Sequence, residues 1–400
     1  MPAAALDGVK VLDLTHHITG PYCTKLLADF GAEVIKIERP GTGDPARRMG
    51  PFASDEQHPD KSLPFLYLNT SKHSVTLDLK SDAGKDIIVK LAAQSDILVE
   101  NFRPGAMASL GLDYESLSRS NPALVMVSIS NFGQTGPYRD YEATEIVEYA
   151  LGGLGYVFGS NLREPLKHAL HQAQFKAGVN AAGAASIALY HQRLTGQGQW
   201  VDVSVQECVA AGLRDTISLY TYTGGIRGRQ PAHSAEIPRT PFQTRDGHIV
   251  PVTLGAMDWE TVADFVGRPE LKEPRFSTPA GRQENATELN AIVTEAFAQR
   301  EKFEIFETSH QRRGFVYGVV QSPADVVSNP QYRHRGFFAD IEHPVAGKAI
   351  YPGAPFKMSR TPWKARSAAP TLGRHNQEVL DDRLGLTPPE IQELQETGVV

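Results

Sequence analysis

The chain has 400 residues, 41% hydrophobic and 22% charged, which is room for two domains with cores of their own. Its 40 basic and 46 acidic residues give a net charge of −6, which supplies no electrostatic footing for nucleic acid or an anionic membrane. No apolar run approaches the roughly 18 residues of a spanning helix, the N-terminal MPAAALDG has neither a charged nor an apolar leader region, and Cys23 and Cys208 sit in apolar settings as reduced thiols would, so a cytoplasmic protein is expected.

Residues 9–14 (VKVLDL) have the pattern of an apolar strand. Residues 20–30 read as a helix opening on Gly20-Pro21 and closed by Gly31, and residues 33–38 (EVIKIE) read as a second strand. Strand, helix and strand in so short a span make a βαβ unit, with parallel pairing and a right-handed crossover. The alternation continues with a strand at 74–79, an amphipathic helix at 83–94, a strand at 96–100, a short helix ending near Gly111, and a strand at 124–130. This predicts a doubly wound, Rossmann-like α/β domain with a parallel sheet. Residues 168–206 extend it. Ala173, Ala177, Ala181, Ala184 and Ala188 recur at helical spacing beside Gly178 and Gly183, small enough for another backbone to come close. Thr195-Gly196-Gln197-Gly198 then breaks the helix, and residues 200–205 (WVDVSV) alternate as a strand.

The first domain is expected over 1–210, with a linker at 211–230 inside a turn-rich stretch that reaches 239. A smaller α+β domain is expected over 231–330. Its signs are a hairpin at 242–252 turning on Asp246-Gly247, helices at 259–266, 284–299 and 300–311, and a strand at 316–320. Residues 331–400 return to the large domain and end in helices over 376–397. Neither G-x-G-x-x-G after the first strand nor G-x-x-x-x-G-K-[ST] occurs. Gly41-Thr42-Gly43-Asp44 and Asn69-Thr70-Ser71-Lys72 suit a phosphate, and suit ordinary turns equally well. The pairs His16-His17 and His168/His171 lack acidic or cysteine partners at ligand spacing, so no metal is expected.

Several segments occur in a characteristic order: Glu38-Arg39-Pro40-x-x-Gly43-Asp44, Asn69-x-x-Lys72-x-Ser74-x-x-Leu77-Asp78-Leu79-Lys80, Glu100-Asn101-Phe102-Arg103-Pro104-Gly105, and Gly133-Gln134-x-Gly136-Pro137-Tyr138. With the Thr195-Gly196 turn and the C-terminal Ala369-Pro370-x-Leu372-Gly373 pattern, the chain resembles the class III CoA-transferase (CaiB/BaiF, formyl-CoA transferase-like) family over nearly its whole length. The resemblance implies a large CoA-binding α/β domain, a smaller domain, and two chains interlocked as a dimer. It also implies coenzyme A or an acyl-CoA as substrate, and a carboxylic acid as its partner in exchange. Arg39 and Lys72 would meet the CoA phosphates as charge-assisted donors. Asn101, Phe102 and Ala106 would line the adenine and pantetheine path. Arg103 would stand with them or be a structural surface arginine.

In that family an aspartate early on the small-residue helix attacks the acyl-CoA thioester and carries the acyl group as an anhydride. Counting from Gly178 and from Thr195-Gly196 puts that position at Gln174. A carboxamide is a poor nucleophile and forms no labile anhydride. Ile18 stands where many members have glutamine, and Thr144 near the histidine of the related racemases. Glu145 matches a glutamate kept near the family's active site, and equally suits a helix surface. Glu148 and Glu164 are the other nearby carboxylates. An intact CoA-binding pattern beside a missing nucleophile implies the silent subunit of a heteromer, paired with an aspartate-bearing paralogue. The succinyl-CoA:(R)-benzylsuccinate CoA-transferase of anaerobic toluene degradation is similar in this respect. The alternatives are a stand-alone enzyme using another residue and a non-enzymatic acyl-CoA-binding protein. Arg227, Arg229 and Arg239 are candidate donors to an acid's second carboxylate.

Overall fold

Short apolar runs build a six-stranded sheet in the computed structural model, which describes residues 4–229, 241–253, 258–310 and 315–400. Its strands and main helices alternate as β1 (Lys10–Asp13), α1 (Thr19–Asp29), β2 (Glu33–Glu38), β3 (Lys72–Thr76), α2 (Asp82–Ala93), β4 (Ile97–Glu100), β5 (Val125–Ser130), α3 (Glu145–Leu151), α4 (Gln172–Thr195) and β6 (Trp200–Ser204). The sheet order is β3-β2-β1-β4-β5-β6 and every pairing is parallel. All six residues of β5 are buried, as expected where helices cover both faces. Alternate residues feed two cores. Val11, Val34, Val99 and Val127 pack with Leu27 of α1 and Ala177 of α4. Leu12, Ile35, Leu98 and Met126 pack with Ile88 and Leu91 of α2.

The small residues of α4 make one close approach. A Cβ on Gly178 would lie 2.7 Å from the Thr19 carbonyl oxygen, so only glycine lets α4 come this near α1. Ala173, Ala177, Ala181, Ala185 and Ala188 are buried on that helix, with Ala185 in the place expected for Ala184. Gly183 has open space around it.

The strand order reverses between β1 and β4, so the loops leaving their carboxyl ends diverge. In an open α/β sheet this crevice is where ligands sit.

The chain divides into two units, the first comprising Met1–Tyr156, Lys167–Arg227 and Arg335–Val400, the second Val157–Leu166 and Gly228–His334. The expected linker at 211–230 is replaced through residue 223 by structure. Helix α5 (Val205–Ala210) is followed by α6 (Arg214–Thr223), which ends at Gly224 with φ of 72°. The threonines and glycines of LYTYTGG disguised a helix whose stop signal is a left-handed glycine. Residues 230–240 lie outside the described residues.

The second unit holds β7 (Phe242–Thr244), β8 (Gly247–Thr253), α7 (Trp259–Val266), α8 (Ala286–Ala298), α9 (Lys302–His310) and β9 (Phe315–Val320). Its antiparallel sheet packs around Phe242, Ile249, Phe265 and Phe297. The chain then re-enters the first unit with the hairpin β10 (Phe338–His343) and β11 (Gly347–Pro352), followed by α10 (Asn376–Leu384) and α11 (Pro388–Glu396). This return seals the β3 edge: the Ser74 N–H donates to His375 Nδ1 at 3.1 Å, and the Thr76 N–H to Asn376 Oδ1 at 2.9 Å. Among the described residues no helix is long and apolar enough to cross a membrane, and both cysteines are free.

Candidate active site

Two cavities open at the crevice between β1 and β4, and both are lined by residues of the first unit. The first, about 680 Å³, lies over the ends of β1 and β2, with Arg39, Arg48 and Lys80 on its wall. Arg39 and Lys80 are exposed there, and Arg48 reaches back to the Thr42 carbonyl at 2.6 Å. The Gly41–Asp44 loop is held in shape by Asp44, whose Oδ1 accepts the backbone N–H groups of Ala46 at 2.8 Å and His17 at 2.9 Å. Glu38 pairs in bidentate fashion with Arg47, at 2.7 and 2.8 Å, in a fully buried contact. The wall thus carries cationic side chains above a rigid ionic floor, and an anionic group is what it suits.

Lys72 is not part of that wall, and the expectation that it meets a CoA phosphate does not hold. Its ammonium is buried and donates to Asp13 Oδ2 at 3.0 Å, the Pro21 carbonyl at 2.9 Å and Asn69 Oδ1 at 2.9 Å, which accounts for all three of its N–H bonds. Burial acts to raise the Asp13 carboxyl, but Lys72 and Lys36 overcome it and hold it at about 2. Lys72 stands at the start of β3, where its side chain turns inward beneath the sheet end.

The second cavity, about 640 Å³, shares His16, His17 and Phe102 with the first. These residues form a waist. Asn101 locks it by bonding both backbone groups of His16, N–H to Oδ1 and Nδ2–H to O, each at 2.9 Å. The Phe102 ring lies 5.5 Å from the His16 ring. Burial pushes His16 down to about 4, so it is neutral at physiological pH.

Gln174 lies in this second cavity, in the first turn of α4. That helix has no side-chain cap from His171 and no acid in its first turn. Glu145 supplies both functions from α3. Its Oε1 accepts the Ala173 N–H at 3.0 Å and its Oε2 the Gln174 N–H at 3.1 Å, with Lys167 Nζ 3.6 Å away. A carboxylate at a helix N-terminus satisfies orphan amides and meets the positive end of the dipole. Glu145 is therefore engaged as an anchor.

Glu148, one turn along α3, is different. It is buried and lines the cavity, and its Oε2 has no hydrogen-bond partner. With the Asn131 amide oriented to satisfy both its groups, Asn131 donates to Glu148 Oε1 at 3.1 Å and accepts the Ala143 N–H at 3.1 Å. Burial, then the Glu145 charge, push the Glu148 carboxyl up to about 7, and the nearby Gln174 side chain offsets part of that rise.

Of the residues singled out from sequence, Arg39 stands in the first cavity, Gln174, Glu145, Asn101 and Arg103 in the second, and Phe102 in both. Arg103 is exposed and paired with Glu142 at 2.6 Å. Ala106 begins a short helix beyond the waist and lines neither of these cavities. Arg239 lies outside the described residues, and Arg229 donates to the Ser160 carbonyl. Sequence reasoning passed over Arg48, Lys80 and Arg139. Lys80 stood inside a quoted motif, whereas Arg48 and Arg139 carry no local signal. Among the described residues no group of three histidine, cysteine, aspartate or glutamate side chains is placed to hold a metal ion.

The model of CoA-transferase family III matches residues 6–376. The succinyl-CoA–D-citramalate CoA-transferase of Chloroflexus aurantiacus is 34% identical over 402 residues, covering 100% of this chain and 99% of its own. The succinyl-CoA–L-malate CoA-transferase alpha subunit of Chloroflexus aurantiacus is 34% identical over 400 residues, covering 99% and 92%. The crystal structure of a CAIB/BAIF family protein from Brucella suis superposes with a TM-score of 0.87 at 28% identity, covering 96% of this chain and 100% of that one.

Proposed function

The chain belongs to CoA-transferase family III, and from that premise we propose that it serves as the non-nucleophilic subunit of a heteromeric transferase that moves CoA between an acyl-CoA and a carboxylic acid. The observation that carries this reading is the side chain at position 174. At the mouth of α4, beside a cavity of about 640 Å³, stands a carboxamide, and the nearest kept acid, Glu145, is bound to the helix end. Loss of a covalent nucleophile costs roughly 10⁴ to 10⁶ in rate, so the chain alone is close to silent.

The first cavity takes the CoA nucleotide in this reading, with Arg39, Arg48 and Lys80 against phosphate, and the waist at His16, His17 and Phe102 passes the pantetheine arm to the second cavity. The partner is an aspartate-bearing paralogue, interlocked with this chain. Supporting a partner, α4 leaves Ile187, Tyr190 and Leu194 each more than three-fifths exposed along its outer side. One similar protein is itself named an alpha subunit. The acids named for the two similar transferases, D-citramalate and L-malate, favour a dicarboxylic acid.

Glu148 favours a second reading, in which the chain works alone. Its unpartnered Oε2 faces the cavity next to Gln174, so a carboxylate is present one helix away from the family's position. The deciding experiment is the native mass and subunit identity of the protein taken from its own source. A heteromer whose second chain carries aspartate at the position of Gln174 supports the first reading. A homodimer that turns over acyl-CoA and loses that turnover on Glu148→Gln replaces it with the second.

A further inference from the structure

Four buried polar atoms that lack a hydrogen-bond partner line the second cavity: Ser130 Oγ, Arg139 Nε, Glu148 Oε2 and His171 Nδ1. Buried polar atoms are nearly always satisfied, so their convergence on one space suits it to water or to a polar ligand. Three of them can accept as well as donate, depending on protonation or rotation. Arg139 Nε can only donate, and it carries a permanent charge. Its neighbour Asp140 comes no nearer than 3.8 Å, too far for a hydrogen bond.

Apart from Asp140, which is exposed beside Arg139, the other main charges of the cavity are already engaged or neutral. Arg103 is closed by Glu142. Glu145 is bound to the α4 amides and faces Lys167. Burial and the Glu145 charge push Glu148 toward its neutral form, and burial keeps His16 neutral. The outer end of Arg139 is placed by Gly105, where an added Cβ would stand 3.3 Å from Nη2, so the backbone there leaves the guanidinium its room. What remains is an arginine whose Nε has no hydrogen-bond partner and whose anionic neighbour, Asp140, stands off at 3.8 Å, and a ligand carboxylate fits that fork.

We propose that Arg139 is the specificity-determining residue of the second cavity, receiving the distal carboxylate of an aliphatic dicarboxylic acid while the other carboxyl lies toward residue 174. This rests on reading that cavity as the acid-binding site of the transferase. A monocarboxylic acid has only the reacting carboxyl and leaves Arg139 without its acceptor.

The test is equilibrium binding by calorimetry to the protein as purified from its source, using glutarate, butyrate and CoA as separate titrants. Glutarate is expected to bind at least about tenfold tighter than butyrate. Arg139→Gln should erase that preference, Arg139→Lys should keep part of it, and neither should alter CoA affinity. Equal binding of the two acids by the unaltered protein, or a preference that survives in Arg139→Gln, overturns the assignment. So does an Arg139→Gln variant that weakens CoA by the same factor, which would place Arg139 on the CoA phosphates. Failure of the unaltered protein and its partner to exchange any acyl-CoA would instead remove the transferase reading, and the glutarate–butyrate comparison would still decide Arg139.

Discussion

The Glu145 carboxylate accepts the backbone N–H of Gln174 at 3.1 Å, so the kept acid and the substituted position are joined through the end of α4. The carboxylate does not face Gln174 as a rival nucleophile. It holds the first turn of a 24-residue helix that begins without a cap of its own, and that turn presents residue 174 to the cavity.

Removing this anchor should cost stability before it affects CoA. Glu145→Ala is expected to lower stability by about 1–2 kcal/mol, in the range of lost helix caps, and to weaken CoA less than Arg39→Ala does, because Glu145 is not part of the first cavity that takes the nucleotide. Urea midpoints and a CoA titration check both halves. An unchanged midpoint would refute the anchoring role.

Glu148 and Glu100 give the protein a definite pH slope. Both carboxyls are raised by burial from an ordinary value of 4.5 to about 7 in the fold. Between those values the folded chain holds protons that the unfolded chain has released, so the contribution is present below about 4.5 and is lost as pH rises through about 7. Glu148→Gln removes one of the two groups. Its melting temperature should fall less steeply from pH 5 to pH 8 than that of the unaltered protein, with its relative gain greatest at pH 8. Parallel curves would mean that Glu148 is not held protonated.

Restoring the family's carboxylate should awaken the site. Gln174→Asp, incubated with an acyl-CoA, is expected to yield a hydroxylamine-sensitive acyl adduct visible by mass spectrometry, which the unaltered chain does not form. Continued silence in a variant that still binds CoA would show that the cavity departs from the family at more than one position, Ile18 and Thr144 being the next to change.

Two cations that look alike in sequence should behave oppositely. Lys72→Met leaves buried Asp13 without its ion-pair partner and is expected to cost about 3–5 kcal/mol, the range for half of a buried ion pair. Arg39→Ala removes an exposed side chain, so stability should hold within about 0.5 kcal/mol while CoA binding weakens and loses part of its salt dependence. Denaturation midpoints and CoA titrations at two salt concentrations separate these outcomes. A Lys72 variant of normal stability with impaired CoA binding would restore the phosphate role.

The sheet was legible because its evidence is local. VMVSIS is mostly apolar and buried along its whole length, and EVIKIE carries the β-branched Val34, Ile35 and Ile37, as strands covered on both faces do. The family pattern was legible for a similar reason: the spacing from Gln174 to Gly178 and to Thr195-Gly196 is counted along the chain. The helix over Arg214–Thr223 was missed because its threonines and tyrosines carry weak helical preference and none of its residues is buried to impose a periodic pattern.

The sequence by itself determined the α/β alternation, the family, and the presence of an amide where the nucleophile is expected. These depend on residues near one another in the chain. Only the tertiary structure decided that Lys72 turns under the sheet toward Asp13, that Glu145 caps a helix 28 residues onward, and that Glu148 and Arg139 converge on one cavity with unmatched polar atoms. The physical reason is that burial and hydrogen-bond satisfaction belong to pairs of groups. A lone lysine or arginine in a sequence carries no mark of the partner that folding will place beside it.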